Sequence, residues 1–246
     1  MMSPEPTVAT SISAFFPAFN DAENLQVLVP RADEALRRLA GDFEIIVVDD
    51  GSTDHTSIVL DSLQQQCPSL RVVRHQRNLG YGAALQSGFR NARKELVFYT
   101  DGDGQYDVRE IGKLLPLLSL DQDVVTGYKI RRADPAHRTL IGKLYHSLVK
   151  TLFGLKVRDV DCDFRLIRRR VLEAVPLTCR SGAICVELMC QIERAGFRVT
   201  EVPVNHYPRS SGRSQFFRLA PVARTVLDIL RLWVRLILLK RSPARP

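Results

Sequence analysis

The feature that most constrains this fold is a series of short, almost wholly apolar segments that alternate with stretches of helical patterning. Four predicted strands are residues 11–16 (SISAFF), 43–48 (FEIIVV), 70–74 (LRVVR) and 95–100 (ELVFYT). A helix is predicted after each of them. Continuous apolar strands that alternate with helices indicate a mostly parallel sheet covered by helices on both faces. The 246 residues are enough for one well-buried α/β domain.

The pattern loosens after residue 128. Residues 129–138 are basic and poor in apolar side chains, which predicts a mobile loop. Before this point we expect a helix near 108–118 and a strand at 123–126, and beyond it helices near 140–153 and 184–195 and an edge strand at 198–204.

Acidic side chains stand directly after two of the predicted strands. Because ligands of parallel α/β sheets bind beyond the carboxyl ends of the strands, residues 49–54 and 101–105 are expected to share one crevice. In an extended segment Asp101, Asp103 and Gln105 point the same way and could hold one ion. Oxygen ligands suit Mg²⁺ or Mn²⁺, which would neutralise charge as a nucleotide diphosphate leaves. The alternative is a solvated acidic turn.

The acidic pair Asp49 and Asp50 opens the first of these two clusters. Its carboxylates could accept hydrogen bonds from a nucleoside, or the segment could be a turn that caps the next helix. Because neighbouring carboxylates repel, one of the pair is expected to have a ligand or a partner. Gly80 and Gly82 either let the backbone approach a nucleotide or form a turn. Leu85 replaces the third glycine of a dinucleotide fingerprint, which argues against a nicotinamide or flavin site.

The basic charge is concentrated near the C-terminus. From residue 209 onward there are nine basic residues and one acid, which carry the whole net charge of +8. Residues 216–239 are amphipathic, and one stripe at helical spacing is charged: Arg224, Asp228, Arg231 and Arg235. No uncharged stretch reaches the roughly 18 residues that span a bilayer. We therefore expect a helix in the interface of an anionic membrane. Packing on the body or a homodimer contact is the alternative, and the wide apolar arc argues against nucleic acid.

Two further features bear on the compartment. Residues 1–10 are polar and do not have the pattern of a signal peptide. The five cysteines are scattered without disulfide or zinc-site spacing, which indicates free thiols in a reducing compartment. A cytoplasmic protein, peripheral on the cytoplasmic face of a membrane, is expected.

Taken in order, the motifs resemble family 2 of the inverting glycosyltransferases, which have the GT-A fold, and most closely the polyprenyl-phosphate branch that includes enzymes like dolichyl-phosphate mannose synthase. The similarity covers residues 11–215 or so, with Phe19, Cys162-Asp163 and Gln215 departing from the usual pattern. The matching segments are Pro17 to Asn24, Val48 to Asp54, Asn78-x-Gly80-x-Gly82-x-Ala84, Asp101-x-Asp103-x-Gln105, Asp161 to Arg165, and Arg209-x-x-Gly212-x-Ser214.

The resemblance implies roles for individual residues. The nucleotide pocket would be lined by Pro17, Phe19, Asp21, Asp49 and Asp50, with Gly80 beside them. Three cations would meet phosphate groups: Lys129, Arg138 and Arg165. A GT-A catalytic domain would occupy residues 1–215, and a basic amphipathic helix and tail would occupy 216–246.

The sequence therefore predicts a metal-dependent inverting hexosyltransferase that moves a sugar from a UDP- or GDP-linked donor to a polyprenyl phosphate at the membrane surface. A phosphate acceptor is already anionic and needs no strong base. A hydroxyl acceptor would need one, for which Asp161, Asp163 or Glu187 are candidates. Extension of a glycan is thus one alternative, and a non-catalytic nucleotide- or lipid-binding protein is another.

Overall fold

Seven strands form one sheet in the computed structural model of the chain, which describes residues 10–118, 121–130, 136–209 and 219–239, without the side chains of 136–141, 143–145 and 219–222. The strands are β1 (Ser11–Ala18), β2 (Asp42–Asp49), β3 (Leu70–Arg74), β4 (Leu96–Thr100), β5 (Val124–Lys129), β6 (Phe164–Arg168) and β7 (Val199–Val204). The helices are α1 (Ala22–Leu39), α2 (Thr56–Gln66), α3 (Tyr81–Asn91), α4 (Ile111–Leu114), α5 (Ala136–Phe153), α6 (Arg169–Ala174), α7 (Ile184–Arg194) and α8 (Leu219–Trp233).

The sheet is mixed, with the order β3-β2-β1-β4-β6-β5-β7. Strands β1 to β4 are parallel, β6 runs antiparallel to both β4 and β5, and β7 pairs in parallel with β5 at the edge. The mostly parallel α/β architecture and the edge strand near residue 200 are confirmed. Strand β6 was not predicted, because residues 161–165 were interpreted as a motif of the family resemblance, with a phosphate contact at Arg165 and candidate bases at Asp161 and Asp163, and not as the start of a strand.

Each face of the sheet has its own apolar core, because alternate residues of a strand point to opposite sides. In β1, Ile12 and Phe16 pack with α1 and α2 on one face, whereas Phe15 packs with α3 and α7 on the other. This is the two-sided covering that the continuous apolar strands predict.

Pro17 lies inside β1, one residue beyond the predicted end of that strand. Pairing of β1 with β4 has already ended at Phe15, so the missing N–H of Pro17 breaks no ladder bond there. Its carbonyl accepts a hydrogen bond from the Gly102 N–H at 3.2 Å. Pro17 thereby fixes the backbone of the acidic loop after β4.

Two predicted segments differ from the structure. The helix expected near 108–118 is broken into α4 and two flanking 3-10 turns, Val108–Glu110 and Leu115–Leu117, the second of which contains Pro116. Of the loop expected at 129–138, Lys129 belongs to β5 and α5 begins at Ala136, while residues 131–135 lie outside the described residues.

The C-terminal helix α8, extended by a π-helical turn at Val234–Leu238, packs against the body. Ile229, Leu232 and Leu236 are buried in the core shared with α7. The Trp233 indole N–H donates to the Leu152 carbonyl at 3.0 Å. Among the described residues, no helix is both long enough and apolar enough to cross a membrane.

Candidate active site

Asp101 and Asp103 lie in the loop directly after β4, as the strand-end rule predicts. The Tyr81 hydroxyl donates to Asp101 Oδ1 at 2.7 Å. Asp103 is buried, and its Oδ2 accepts a hydrogen bond from Arg209 Nη2 at 2.7 Å. The other guanidinium nitrogen of Arg209, Nη1, lies 3.6 Å from Asp21 Oδ1. The loop therefore forms an acidic crevice in which Arg209 bridges two carboxylates.

The carboxylates of this crevice repel one another. Burial raises the pKa of the Asp101 carboxyl well above its usual range, and the negative charges of Asp163 and Asp103 raise this pKa further. A divalent cation would offset the repulsion, and carboxylate oxygens are the ligands that Mg²⁺ and Mn²⁺ prefer. Asp101 and Asp103 therefore have the chemistry of metal ligands. Together with Asp163, which was expected only as a candidate base, they do not bring three ligand atoms within 4.8 Å of one another in the described part of the chain.

Gln105, the third predicted metal ligand, is oriented differently. Its side-chain amide donates to the Tyr207 carbonyl at 3.1 Å, and its backbone N–H donates to Asp103 Oδ1 at 3.0 Å. In this arrangement Gln105 holds Asp103 in place and joins the loop to the segment after β7.

A cleft of about 440 Å³ opens at the carboxyl ends of β2 and β3. Its walls include Phe19, Asp49, residues 51–53 and residues 74–78. That volume suits a small ligand such as a nucleoside. Of the six residues expected at the nucleotide, Phe19 and Asp49 line the cleft, whereas Asp21 lies in the acidic crevice.

Asp50 is buried and makes several hydrogen bonds within the protein. Its Oδ1 lies 2.6 Å from His75 Nδ1 and accepts the Leu79 N–H at 2.9 Å, while its Oδ2 accepts the Gly80 N–H at 2.9 Å. One of the two neighbouring aspartates was expected to have a partner. That aspartate is Asp50, and its partners are His75 and the backbone N–H groups of Leu79 and Gly80. Asp50 shapes the loop before α3, a role that no sequence motif distinguished from that of Asp49.

Gly80 and Gly82 approach the chain's own backbone. Gly80 has a φ of +100°, and a Cβ there would lie 2.6 Å from the Arg180 carbonyl oxygen. At Gly82 a Cβ would lie 2.4 Å from the Cys179 carbonyl oxygen. The two glycines thus allow α3 to pack closely against residues 179–181. Gly80 also forms a turn, which is one of the two interpretations given from the sequence.

Gly82→Ala is therefore expected to lower the free energy of unfolding by about 1–3 kcal/mol, because backbone must shift to admit the methyl group. The measurement is urea unfolding of both proteins. Gly112→Ala is the matched control, since a Cβ there meets only Leu39 methyl carbons at 3.9 and 4.0 Å. If both alanine variants unfold at the midpoint of the parent protein, the close approach at Gly82 is wrong.

Arg165, expected at a phosphate, is fully buried in β6. Its guanidinium donates to the Thr126 hydroxyl at 3.1 Å, to the Val160 carbonyl at 2.5 Å and to Asp163 Oδ1 at 3.3 Å, and it also contacts the Tyr99 hydroxyl. In the structure Arg165 is therefore a positioning residue for Asp163 and presents no surface to a phosphate.

Lys129 lies near the acidic crevice, close enough for its charge to lower the pKa of Asp101. Its ammonium donates to the Asp161 carbonyl at 2.7 Å and lies 3.9 Å from Asp159 Oδ2. Arg138 falls in α5, at a position whose side chain is outside the described residues.

A second acidic group was not anticipated from the sequence. Potential ligand atoms of His146, Asp159 and Asp161 all lie within 4.8 Å of one another. His146 comes from α5 and both aspartates from the loop before β6, so no short spacing signalled the cluster. Lys129 already places a positive charge beside it.

Glu187, one of the candidate bases, is fully buried in α7. Its carboxylate accepts the backbone N–H groups of Thr178 and Cys179 and the Thr178 hydroxyl at 2.8 to 2.9 Å, and it pairs with Arg235 Nη2 at 2.5 Å. With these donors around it, Glu187 is a structural anchor for α8 and the wrong candidate for a base.

Solved structures with the same architecture define the class of fold. Glucosyl-3-phosphoglycerate synthase from Mycobacterium tuberculosis, in complex with Mn²⁺, uridine diphosphate and phosphoglyceric acid, matches with a TM-score of 0.70. It is 19% identical, and the match covers 92% of this chain and 78% of that one. The same enzyme with Mg²⁺ and uridine diphosphate matches with a TM-score of 0.66 at 17% identity, over 92% and 78% of the two chains. The fold is the GT-A fold, as predicted.

The chain belongs to glycosyl transferase family 2, whose model matches residues 13–175. Undecaprenyl-phosphate 4-deoxy-4-formamido-L-arabinose transferase of Pseudomonas fluorescens (strain SBW25) is 32% identical over 218 residues, covering 87% of this chain and 62% of the relative. The Yersinia enterocolitica protein of the same name is 28% identical, covering 83% and 62%. The chain thus spans about three fifths of the length of these relatives.

Proposed function

We propose that this protein is a metal-dependent inverting glycosyltransferase that moves a sugar from a nucleotide-diphosphate donor, UDP- or GDP-linked, to a polyprenyl phosphate. The observation that carries the proposal is the acidic crevice after β4, where Asp101 and Asp103 lie beside Asp163 and Arg209. Relatives named for transfer to undecaprenyl phosphate support the acceptor.

In this proposal Asp101 and Asp103 hold Mg²⁺ or Mn²⁺, and Gln105 orients Asp103. When bound, the ion stabilises the negative charge of the departing nucleotide diphosphate. Arg209 supplies a second positive charge at Asp103, within reach of the same diphosphate. Phe19 and Asp49 bind the nucleoside in the cleft beyond β2 and β3, and the Asp50 hydrogen bonds hold the shape of that cleft.

A phosphate acceptor fits the carboxylates that the structure describes. Its oxygen attacks without losing a proton, so no general base is needed. Glu187 is committed to α8 and the Thr178 backbone, and Asp163 accepts hydrogen bonds from Arg165 and from the Cys185 thiol at 3.3 and 3.2 Å. These contacts occupy two of the three candidate bases and leave Asp161, which lies beside His146 and Asp159, as the one carboxylate that a hydroxyl acceptor could use.

A panel of UDP- and GDP-sugars, incubated with undecaprenyl phosphate in detergent, tests the proposal. We expect one donor to yield a glycosylated lipid phosphate in the presence of Mn²⁺ and none after chelation with EDTA. Transfer to an added glycan instead of the lipid would identify a hydroxyl acceptor. Donor binding without turnover of any donor would identify a non-catalytic protein.

We propose further that α8 lies at the membrane surface and that the protein is peripheral on its cytoplasmic face. Apolar side chains on the outer side of α8 and its π-helical turn are half-exposed: Val226, Leu227, Leu230, Val234, Leu238 and Leu239. The charged stripe of α8 lies against loops of the body. The exposed apolar residues, in addition to the arginines of that stripe, would therefore enter the membrane interface. A homodimer contact through the same residues is the alternative.

Replacing Leu227, Leu230 and Leu238 together by serine is expected to weaken binding to anionic vesicles by at least about tenfold, because each leucine would otherwise bury apolar surface in the bilayer. Cosedimentation with the vesicles measures this. Ile58→Ser is the control, since Ile58 is exposed on α2, over the opposite face of the sheet. If the parent protein stays in the supernatant and sediments as a dimer in the ultracentrifuge, the leucines form a protein interface.

A further inference from the structure

A second cavity, of about 650 Å³, lies between α8 and two loops of the body. The loops are residues 77–79, before α3, and residues 178–180, before α7. Five arginines and one acid line the cavity: Arg77, Arg180, Arg224, Arg231, Arg235 and Asp228. None of these residues has a place in the acidic crevice, where the proposed metal and diphosphate bind.

The positive charge of this cavity, here called the arginine cavity, is only partly neutralised. Arg235 is paired with the buried Glu187, and Arg231 lies 3.5 Å from Asp228. Asp228 also accepts a hydrogen bond from the Ser181 hydroxyl at 2.8 Å. Within the described part of the chain, the side chains of Arg77, Arg180 and Arg224 make no hydrogen bond or ion pair. Among the described residues, three arginines without a paired acid therefore line one cavity, whose only acid, Asp228, is already paired with Arg231.

The walls that carry these charges are fixed relative to one another. Arg235 Nη1 donates to the Thr178 hydroxyl at 2.7 Å, and the Ser181–Asp228 bond joins the same loop to α8. On the other side, the Gly82 N–H donates to the Arg180 carbonyl at 2.9 Å, which holds residues 178–180 against the start of α3. The arginines thus come from three elements that the fold locks together.

We infer that the arginine cavity binds a phosphate group, and that a phosphomonoester is its best ligand. Guanidinium groups bind phosphate oxygens through paired, charge-assisted hydrogen bonds, and several of them together favour the higher charge of a monoester over a diester. The cavity lies beside the exposed apolar side of α8, so a lipid headgroup could supply the phosphate, as could a soluble phosphate compound. The site does not depend on sugar transfer.

A consequence for the donor follows from the shared wall. Arg77 and Asn78 line both the arginine cavity and the cleft assigned to the nucleoside. Because these two residues belong to both sites, occupation of the cavity is expected to alter donor binding without any change in the acidic crevice.

The test compares the full chain with an Arg180→Gln/Arg224→Gln double variant, which leaves Arg77 and the cleft unchanged. Vesicles of phosphatidylcholine with phosphatidic acid present a monoester, and vesicles with phosphatidylglycerol at matched surface charge present a diester. Pyrophosphate in calorimetric titration is the soluble probe. An Arg38→Gln/Arg109→Gln variant is the control, because both of these arginines are exposed and lie on α1 and the 3-10 turn before α4.

We expect the parent protein to prefer phosphatidic acid, and the double variant to lose about tenfold in affinity and most of that preference. The affinity of the control variant for phosphatidic acid vesicles should fall much less than that of the double variant. Binding of pyrophosphate alone, lost in the double variant, would support the same site with a soluble source. Equal losses in both variants, or equal binding of the two lipids with no pyrophosphate binding, would overturn the inference.

These binding measurements need no turnover, so their result tests the phosphate site independently of the proposed sugar transfer. The side chains of Arg180 and Arg224 make no hydrogen bond or ion pair in the described part of the chain, and the double variant is expected to unfold at the same temperature as the parent. A matching thermal midpoint shows that lost binding reflects the cavity itself.

Discussion

Asp103→Asn is expected to remove sugar transfer almost completely while leaving the fold intact. An asparagine has nearly the same shape and can still accept the Gln105 N–H, but it loses the charge that faces Arg209 and the proposed metal. Loss of a carboxylate ligand should lower the rate by at least on the order of a hundredfold. The free energy of unfolding should change by about 1 kcal/mol or less, since repulsion between Asp103 and Asp101 is also removed.

The rate of nucleotide release over a Mn²⁺ titration measures this effect, and thermal unfolding reports the fold. Asp61→Asn is the matched control, because Asp61 is an exposed carboxylate that also pairs with an arginine, Arg74. His146→Ala completes the comparison. Near-normal turnover in Asp103→Asn that still requires Mn²⁺, together with loss in His146→Ala, would place the metal at the cluster of His146, Asp159 and Asp161.

Arg165→Met is expected to lower the free energy of unfolding by about 3–5 kcal/mol, which is the usual cost of removing one partner from a buried ion pair. Methionine fills much of the volume of the arginine but leaves Asp163 without its cation. It also leaves the Thr126 hydroxyl and the Val160 carbonyl without their donor. The expected loss is a large fraction of the stability of an ordinary domain.

Urea unfolding measures the change, with Arg170→Met as the control. Arg170 is exposed and forms an ion pair with Asp123, so its replacement should cost about 1 kcal/mol or less. If Arg165→Met keeps the stability of the parent protein but loses transfer at saturating donor, Arg165 contacts phosphate, as the family resemblance implies, and the structural role given to it here is wrong.

The sequence was most informative where one pattern allowed a single structure. The apolar segment at 43–48 is almost wholly buried, and 70–74 pairs with it as a partly exposed edge strand; β2 and β3 were both predicted nearly to the residue. The acidic residues after β4 followed from the strand-end rule, because Asp101 comes immediately after the strand. Both predictions depend on local pattern alone.

The surroundings that the sequence did not predict depend on contacts between distant residues. Asp49 and Asp50 are identical neighbours in the sequence. Only the hydrogen bonds from the loop at 75–80 to Asp50 give that residue a structural role. Arg165 and Glu187 carry charges that usually mark a surface or a site, yet each is buried with a partner that lies far away in the chain or on another strand. Charged residues in the core are rare, so residue type alone favoured the wrong environment.

The order of strands has a consequence for the nascent chain on the ribosome. The parallel strands β1 to β4 come from the first 103 residues, as do Asp101 and Asp103, whereas Arg209 meets Asp103 from 106 residues further on. Until β6 has been synthesised, the outer edge of β4 has no partner strand, and an open edge can pair with another chain. The antiparallel strand therefore closes an edge that could otherwise pair with another chain, and Arg209, which pairs with Asp103, is synthesised only after all seven strands.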